Sequence, residues 1–256
     1  MKQVITANYH THTTRCRHAV GKDREYVEAA IDTGIKILGF SDHSPMPFRN
    51  GFHSGFRMPL EEADGYFTSI SDLKKEYKSD IDIKIGVEAE YYPQIFDDLV
   101  SFLSQFPLDY MILGQHFVDS EESGNYSGHP SDDEQRLISY LENLRSAVNT
   151  GKFAYIAHPD LLNFTGSEQS YRNIMLPFLR EMKEKNVIFE INRLGLYDHR
   201  NYPSERFFSL CGEVGNKAII GLDAHNPNVF YDVATAENCI KLAEKYNIEI
   251  VDKLDI

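Results

Sequence analysis

The chain of 256 residues has no tryptophan and only three cysteines. It also lacks any apolar run near the ~18 consecutive residues that a membrane helix needs. Cys16, Cys211 and Cys239 are odd in number and share no CxxC spacing, which argues against both a disulfide framework and a zinc ribbon. The opening stretch, MKQVITANYHTHTT, has no apolar h-region, so a soluble protein in a reducing cytoplasm is expected. Basic residues are scarce as well: 26 Lys and Arg stand against 39 Asp and Glu, for a formal charge of -13. Such a surface repels nucleic-acid phosphates, and no basic stripe offsets it, so neither a nucleic acid nor a membrane is an expected partner. No linker, repeat or low-complexity tract marks a boundary, and residues 1–256 are read as a single domain.

What is present is alternation. Short apolar runs at Val4–Tyr9, Lys36–Phe40, Ile81–Val87, Tyr110–Leu113, Phe153–Ala157, Val187–Ile191 and Lys217–Gly221 have the composition of strands. Between them lie helical spacings. Val229, Val233, Ala236, Ile240 and Ala243 fall on one face; so do Ile174, Phe178 and Met182, and Leu137, Tyr140 or Leu141, Leu144 and Val148. Parallel pairing needs crossovers long enough to hold a helix, so repeated βα units predict an α/β barrel with seven units. An open doubly wound sheet is the competing architecture, because periodicity alone does not show closure.

Barrels of this kind carry their chemistry where the strands end. The first run is followed by His10 and His12, the second by Asp42 and His43, and the third by Glu88 and Glu90. His116 follows the fourth, His158 the fifth, and Asp223 and His225 the seventh; the sixth offers only Asn192 and Arg193. Residues two apart on an extended segment point to one side, so His10 with His12, and Asp223 with His225, can each face one ion. Imidazole and carboxylate donors suit zinc, manganese or iron, and no cysteine joins the set. More donors are available than one ion uses, which predicts two or three clustered ions, an arrangement suited to phosphate ester hydrolysis. Spacing leaves His18 open between ligand and solvated loop histidine; His53, His129 and His199 read as ordinary loop histidines.

The ordered segments YHTHTTRCRHA (Tyr9–Ala19), GFSDHSP (Gly39–Pro45), GVEAEYYP (Gly86–Pro93), LGQHF (Leu113–Phe117), AHPD (Ala157–Asp160) and GLDAHNP (Gly221–Pro227) resemble the motifs of the PHP (polymerase and histidinol phosphatase) superfamily. The likeness is greatest to its histidinol-phosphate phosphatase branch and spans essentially the whole chain. It implies a distorted (β/α)7 barrel, like a TIM barrel, with a trinuclear metal centre of zinc, manganese or iron. By motif, one ion would use His10, His12, Glu88 and Asp223, with Glu88 bridging to a second that adds His116 and His158. A third would use His18, His43 and His225. Asp42 then reads as an acceptor that orients a neighbouring imidazole.

The implied activity is hydrolysis of L-histidinol phosphate, a small phosphate monoester, to L-histidinol and phosphate in histidine biosynthesis. A hydroxide bridging two ions would attack phosphorus. Asp160 or a metal-bound water would protonate the leaving alkoxide, although Asp160 serves equally well as a capping carboxylate. Arg193 and Arg200 are candidates for gripping the phosphate. The segment Glu190–Pro203 departs from the family pattern at Tyr197, where an arginine is expected. The alternatives are a PHP phosphoesterase acting on nucleotides, oligonucleotide ends or another small ester, and a non-catalytic metal-binding scaffold.

Overall fold

The computed structural model describes residues 4–49 and 51–256. The first three residues of the opening stretch lie outside them. Along the chain come β1 (Ala7–Asn8), α1 (Asp23–Thr33), β2 (Ile37–Phe40), α2 (Ala63–Glu76), β3 (Asp82–Ala89), α3 (Phe96–Leu103), β4 (Tyr110–Leu113) and α4 (Glu134–Asn149). They are followed by α5 (Glu168–Glu184), β5 (Ile188–Asn192), α6 (Arg193–Tyr197), α7 (Glu205–Val214), β6 (Lys217–Gly221), α8 (Val233–Lys245) and β7 (Glu249–Ile250).

All the strand pairs are parallel, in two ladders ordered β1-β2-β3-β4 and β5-β6-β7. The run Phe153–Ala157, expected as a strand, bridges them through one residue: Ile156 pairs with Leu113 on one side and Phe189 on the other. Its main chain still bonds both ways. Ala154 N donates to Met111 O at 2.8 Å, and Ala157 N to Leu113 O at 2.8 Å. On the far side, Glu190 N donates to Ile156 O at 2.9 Å. It is thus a barrel stave reduced to a bridge, too short to continue a ladder.

The sheet closes on itself at the top, where Thr11 pairs with Ala224, and His12 N donates to Ala224 O at 2.9 Å. Below this point β1 and β6 splay apart, and β7, which the sequence reading missed, pairs with the lower end of β6. Its continuation returns to the first stave, with Asp252 accepting from Thr6 N at 3.3 Å and Leu254 N donating to the Tyr9 hydroxyl at 3.1 Å. A distorted (β/α)7 barrel results, as the motif order implies.

Helices cover the outside because their apolar stripes need burial. Asp133, Ser167 and Ser204 cap α4, α5 and α7 by accepting backbone N–H bonds in the first turn. Asp232 does the same for α8, so that helix starts at Val233, and Val229 falls in the preceding 3-10 turn rather than on the helix face. Inside the barrel, Tyr9, Tyr110, Ile112, Tyr155 and Ile219 fill the lower layer. The Tyr110 hydroxyl donates to Tyr9 O at 2.7 Å, which satisfies a polar group that burial would otherwise penalise. This layer plugs the lower part of the barrel, and a cavity opens at the upper end. Among the described residues no helix is long and apolar enough to cross a membrane.

Candidate metal centre

The ligand-type residues expected at the strand ends meet at that upper end. His10, His12 and Asp223 come from the closing seam, Glu88 from the end of β3, and His43, His116 and His158 from connections across the barrel. Glu88 lies within β3 rather than just past it, because that strand runs to Ala89. Two of these ligands hold left-handed backbone, His158 at φ 29° and Asp223 at φ 49°, a strain that persists only where the surroundings enforce it. Space for the central carboxylate comes from Gly114, where a Cβ would stand 1.9 Å from Glu88 Oε1.

Glu88 is the pivot. Its Oε1 lies 2.7 Å from His158 Nε2 and 3.7 Å from His116 Nε2, while Oε2 lies 2.8 Å from His43 Nδ1, 3.6 Å from His12 Nε2 and 3.7 Å from His10 Nε2. Asp223 Oδ1 is 3.2 Å from His12 Nε2, 3.5 Å from His10 Nε2 and 3.3 Å from His225 Nδ1. Yet neither Glu88 Oε2 nor Asp223 Oδ1 has a hydrogen-bond partner of proper geometry, although both are buried. Imidazole nitrogens also face one another: His10 and His12 at 3.0 Å, His18 and His225 at 2.9 Å. Buried ligand-type atoms that converge with no hydrogen bond of proper geometry to Glu88 Oε2 or Asp223 Oδ1 fit a cluster of divalent cations, and the predominance of nitrogen and oxygen donors agrees. Donor atoms of His10, His12 and Glu88, of His18, His43 and His225, and of His43, Glu88 and His116 each lie within 4.8 Å of one another.

Behind the ligands stands a second layer that holds their orientation. Asp42 Oδ1 lies 3.2 Å from His12 Nδ1 and also accepts from His43 N at 2.8 Å, the orienting role expected for it. Glu90 Oε1 lies 2.9 Å from His116 Nδ1. The residue the sequence reading missed is Glu190. Its Oε1 stands 2.7 Å from His10 Nδ1, and its Oε2 accepts from His158 N at 2.9 Å and Asn192 Nδ2 at 2.8 Å. Asn192 donates in turn to Asp223 Oδ2 at 3.0 Å. The sixth run therefore adds no member to the cluster but supports three of its members, His10, His158 and Asp223. Its signal was present: Glu190 and Asn192 alternate with Phe189 and Ile191, placing a charge and an amide inside a strand that has nowhere exposed to put them.

Burial alone would lower the His10 imidazole, but the negative charges of Glu190, Asp223 and Glu88 outweigh it and lift it to about 10. Burial likewise pushes Glu88 up, and His43, His116 and His10 more than reverse this. The same contest ends with Asp223 held low by His10, His12 and His225. Without ions the raised His10 and His12 imidazoles favour their protonated forms, and cation binding must displace those protons. Cys16, set aside at first, is also here. Its buried Sγ shares a cluster with His12 and His225; burial would raise the thiol, but hydrogen bonds from His12, His18 and His225 bring it down to about 3.

A cavity of about 650 Å³ opens above the centre, lined by its His18, His43, Glu88, His116, His158, Asp223 and His225 and walled by Phe56, Phe117, Tyr126, Asp198, Arg200 and Tyr202. Arg200 reaches this wall, paired with Asp198 at 2.8 Å and donating to the Tyr202 hydroxyl at 2.9 Å. Arg193 does not. It is buried against Asp232, with its guanidinium over the Tyr197 ring, beside a separate cavity behind His18 and His225. Asp160 is absent from the main wall too: its Oδ2 accepts from Ser204 N at 2.5 Å, while Oδ1 is buried without a partner.

The PHP domain model matches residues 8–194. A protein of Deinococcus radiodurans described as a probable histidinol-phosphatase is 29% identical over 224 residues, covering 85% of each chain. A probable phosphatase of Clostridium acetobutylicum is 28% identical, over 88% of this chain and 80% of its own. Among solved structures, histidinol phosphate phosphatase from Lactococcus lactis, complexed with Zn, L-histidinol and phosphate, superposes with a TM-score of 0.71 at 22% identity, over 98% of this chain and 99% of that one.

Proposed function

The chain belongs to the PHP domain family, and on that premise we propose that it is a metal-dependent phosphomonoesterase that hydrolyses L-histidinol phosphate. The observation that carries the metal reading is the convergence of ligand-type atoms of Glu88, Asp223 and the facing imidazoles beneath an open cavity, with no hydrogen bond of proper geometry to Glu88 Oε2 or Asp223 Oδ1. The substrate follows from the relatives: the Deinococcus protein bears that activity in its name, and the Lactococcus enzyme was solved with both products.

Three divalent ions fit the donors. One is assigned to His10, His12, Glu88 and Asp223, a second to Glu88, His116 and His158, and a third to His18, His43 and His225. Bound together, such ions lower the pKa of water and neutralise the charge that builds on phosphoryl oxygens. The protein's own groups do the rest. Glu190, Asp42 and Glu90 hold the Nδ1 atoms of His10, His12 and His116, which turns each Nε2 toward the centre. Of the two arginines, Arg200 is assigned to the phosphate, since it reaches the cavity and its planar fork suits two phosphoryl oxygens. Asp160 lies off the cavity wall and is assigned to brace the start of α7, its Oδ2 accepting from Ser204 N, rather than to the leaving group. Burial pushes its carboxyl up to about 7 against the opposing Ser204 N–H.

The test is phosphate release from a panel of histidinol phosphate, nucleotides and sugar phosphates, with the protein reconstituted separately with zinc, manganese and iron. A clear preference for histidinol phosphate in kcat/KM is expected. Preference for another ester would leave the centre standing and remove the substrate; no hydrolysis with any metal would leave a scaffold.

A further inference from the structure

The long connection between β2 and α2 carries a cation that the mechanism above does not use. Arg57 is 2% exposed, although an arginine is almost never buried unless its donors are met. Here they are met by three different strand-end connections. Nη1 donates to Ser44 O at 3.2 Å after β2, Nη2 to Glu90 Oε1 at 3.0 Å after β3, and Nε to Glu121 Oε2 at 2.8 Å after β4. No ammonium could reach three acceptors so placed, whereas a rigid planar fork does.

Two further contacts lead from this guanidinium to the centre. Glu90 Oε1, which it holds, is the same atom that lies 2.9 Å from His116 Nδ1. The Phe56 ring, 4.4 Å from the guanidinium carbon, packs edge-on against the His43 ring at 4.9 Å and against the His116 ring at 5.7 Å. The cluster of Arg57, Glu90 and Glu121 also carries two carboxylates to one cation, and Glu90 Oε2 is buried with no partner. A buried ion cluster is poor value for stability alone, because desolvation offsets most of its attraction. Its surplus negative charge lies directly behind a ligand.

We propose that Arg57 is a positioning residue for the half of the metal centre built on the connections after β2, β3 and β4, fixing Glu90, and through it His116, while seating Phe56 on His43 and His116. This rests on the metal reading given above and is independent of the substrate. Arginine at this position sets how firmly the ion on His116 is held and how its ligands are aimed. The ion on the seam ligands, His10, His12 and Asp223, lies outside its reach.

The experiment loads wild type, Arg57→Lys and Glu90→Gln with cobalt(II) and titrates each with a chelator, following metal content and the visible absorption of the cobalt. Arg57→Lys keeps the charge and loses the fork. It should release one ion at a chelator concentration about 10- to 100-fold below that for wild type, with a changed cobalt spectrum, the usual scale for losing a supporting group. Turnover should fall in kcat, with KM within about threefold. Adding Arg57→Lys to His116→Ala should weaken cobalt retention by clearly less than the two single losses combined, since the Glu90 path from Arg57 ends on His116. Release of every ion together at the wild-type chelator concentration, with only a lower Tm, would overturn the proposal, as would additive losses in the double variant. If Arg57→Lys does not fold, Glu90→Gln tests the same link: selective loss of one ion is expected, and wild-type retention overturns it. A wild-type chain that takes up no cobalt would bring down the metal reading itself, while a failed substrate panel would leave these results untouched.

Discussion

The floor and the rim of the centre are built differently. On the floor, His10 and His12 are wholly buried, sit beside the closing seam, and turn their Nδ1 atoms to the carboxylates Glu190 and Asp42. On the rim, His18 is exposed and His225 half-buried; His18 Nδ1 faces the main-chain Cys16 O at 2.7 Å, and His225 Nδ1 lies 3.1 Å from Asp223 O and 3.3 Å from Asp223 Oδ1, a carboxylate within the centre rather than behind it. A charge-assisted bond in a dry site is roughly twice as strong as a neutral one, so the floor imidazoles are held more firmly in place than those of the rim. The lesson is that ligands of one residue type divide into two grades by what stands behind them.

Breaking the floor outright should have the largest effect. His12→Ala is expected to lose metal and activity together, beyond the about 10- to 100-fold that a supporting residue is worth; normal turnover by a metal-free His12 variant would end the metal mechanism.

Glu190→Gln keeps the shape and removes the charge behind His10. Floor metal affinity, read by chelator competition, should drop about tenfold or more while rim occupancy holds. His18→Ala sharpens the contrast from the other side: one ion should be lost at about tenfold cost in kcat/KM, with floor occupancy unchanged. Equal loss of all ions in both variants would erase the distinction. Smallest of all should be Arg200→Ala. It is expected to raise KM about fivefold at full metal content, the ~1 kcal/mol of one polar contact at a wet wall.

Much of the floor was legible because two-residue spacing on an extended segment forces side chains to one side, as His10 with His12 and Asp223 with His225 illustrate. The supports were less so. Glu190 lies far in sequence from His10, and only the choice of which strand faces which makes them neighbours. Arg193 and Arg200 looked equivalent because both follow the sixth run; the short helix α6 turns the first outward to Asp232 and leaves the second at the cavity wall. Closure was equally hidden. The seam and the fifth stave rest on single bridges, too brief to leave a periodic signal, and β7 is two residues following a helix. Cys16 was set aside for lack of a partner cysteine, whereas its neighbours proved to be imidazoles.

The seam also bears on time. His10 and His12 emerge from the ribosome before Asp223 and the Ala224 that locks against Thr11, which are added more than two hundred residues later. At a synthesis rate of about 5–20 residues per second, the first stave waits ten seconds or more for its neighbour. During that interval the nascent chain presents a loose pair of histidines and an unclosed sheet edge. The cation site itself comes together only as the stave carrying Asp223 arrives.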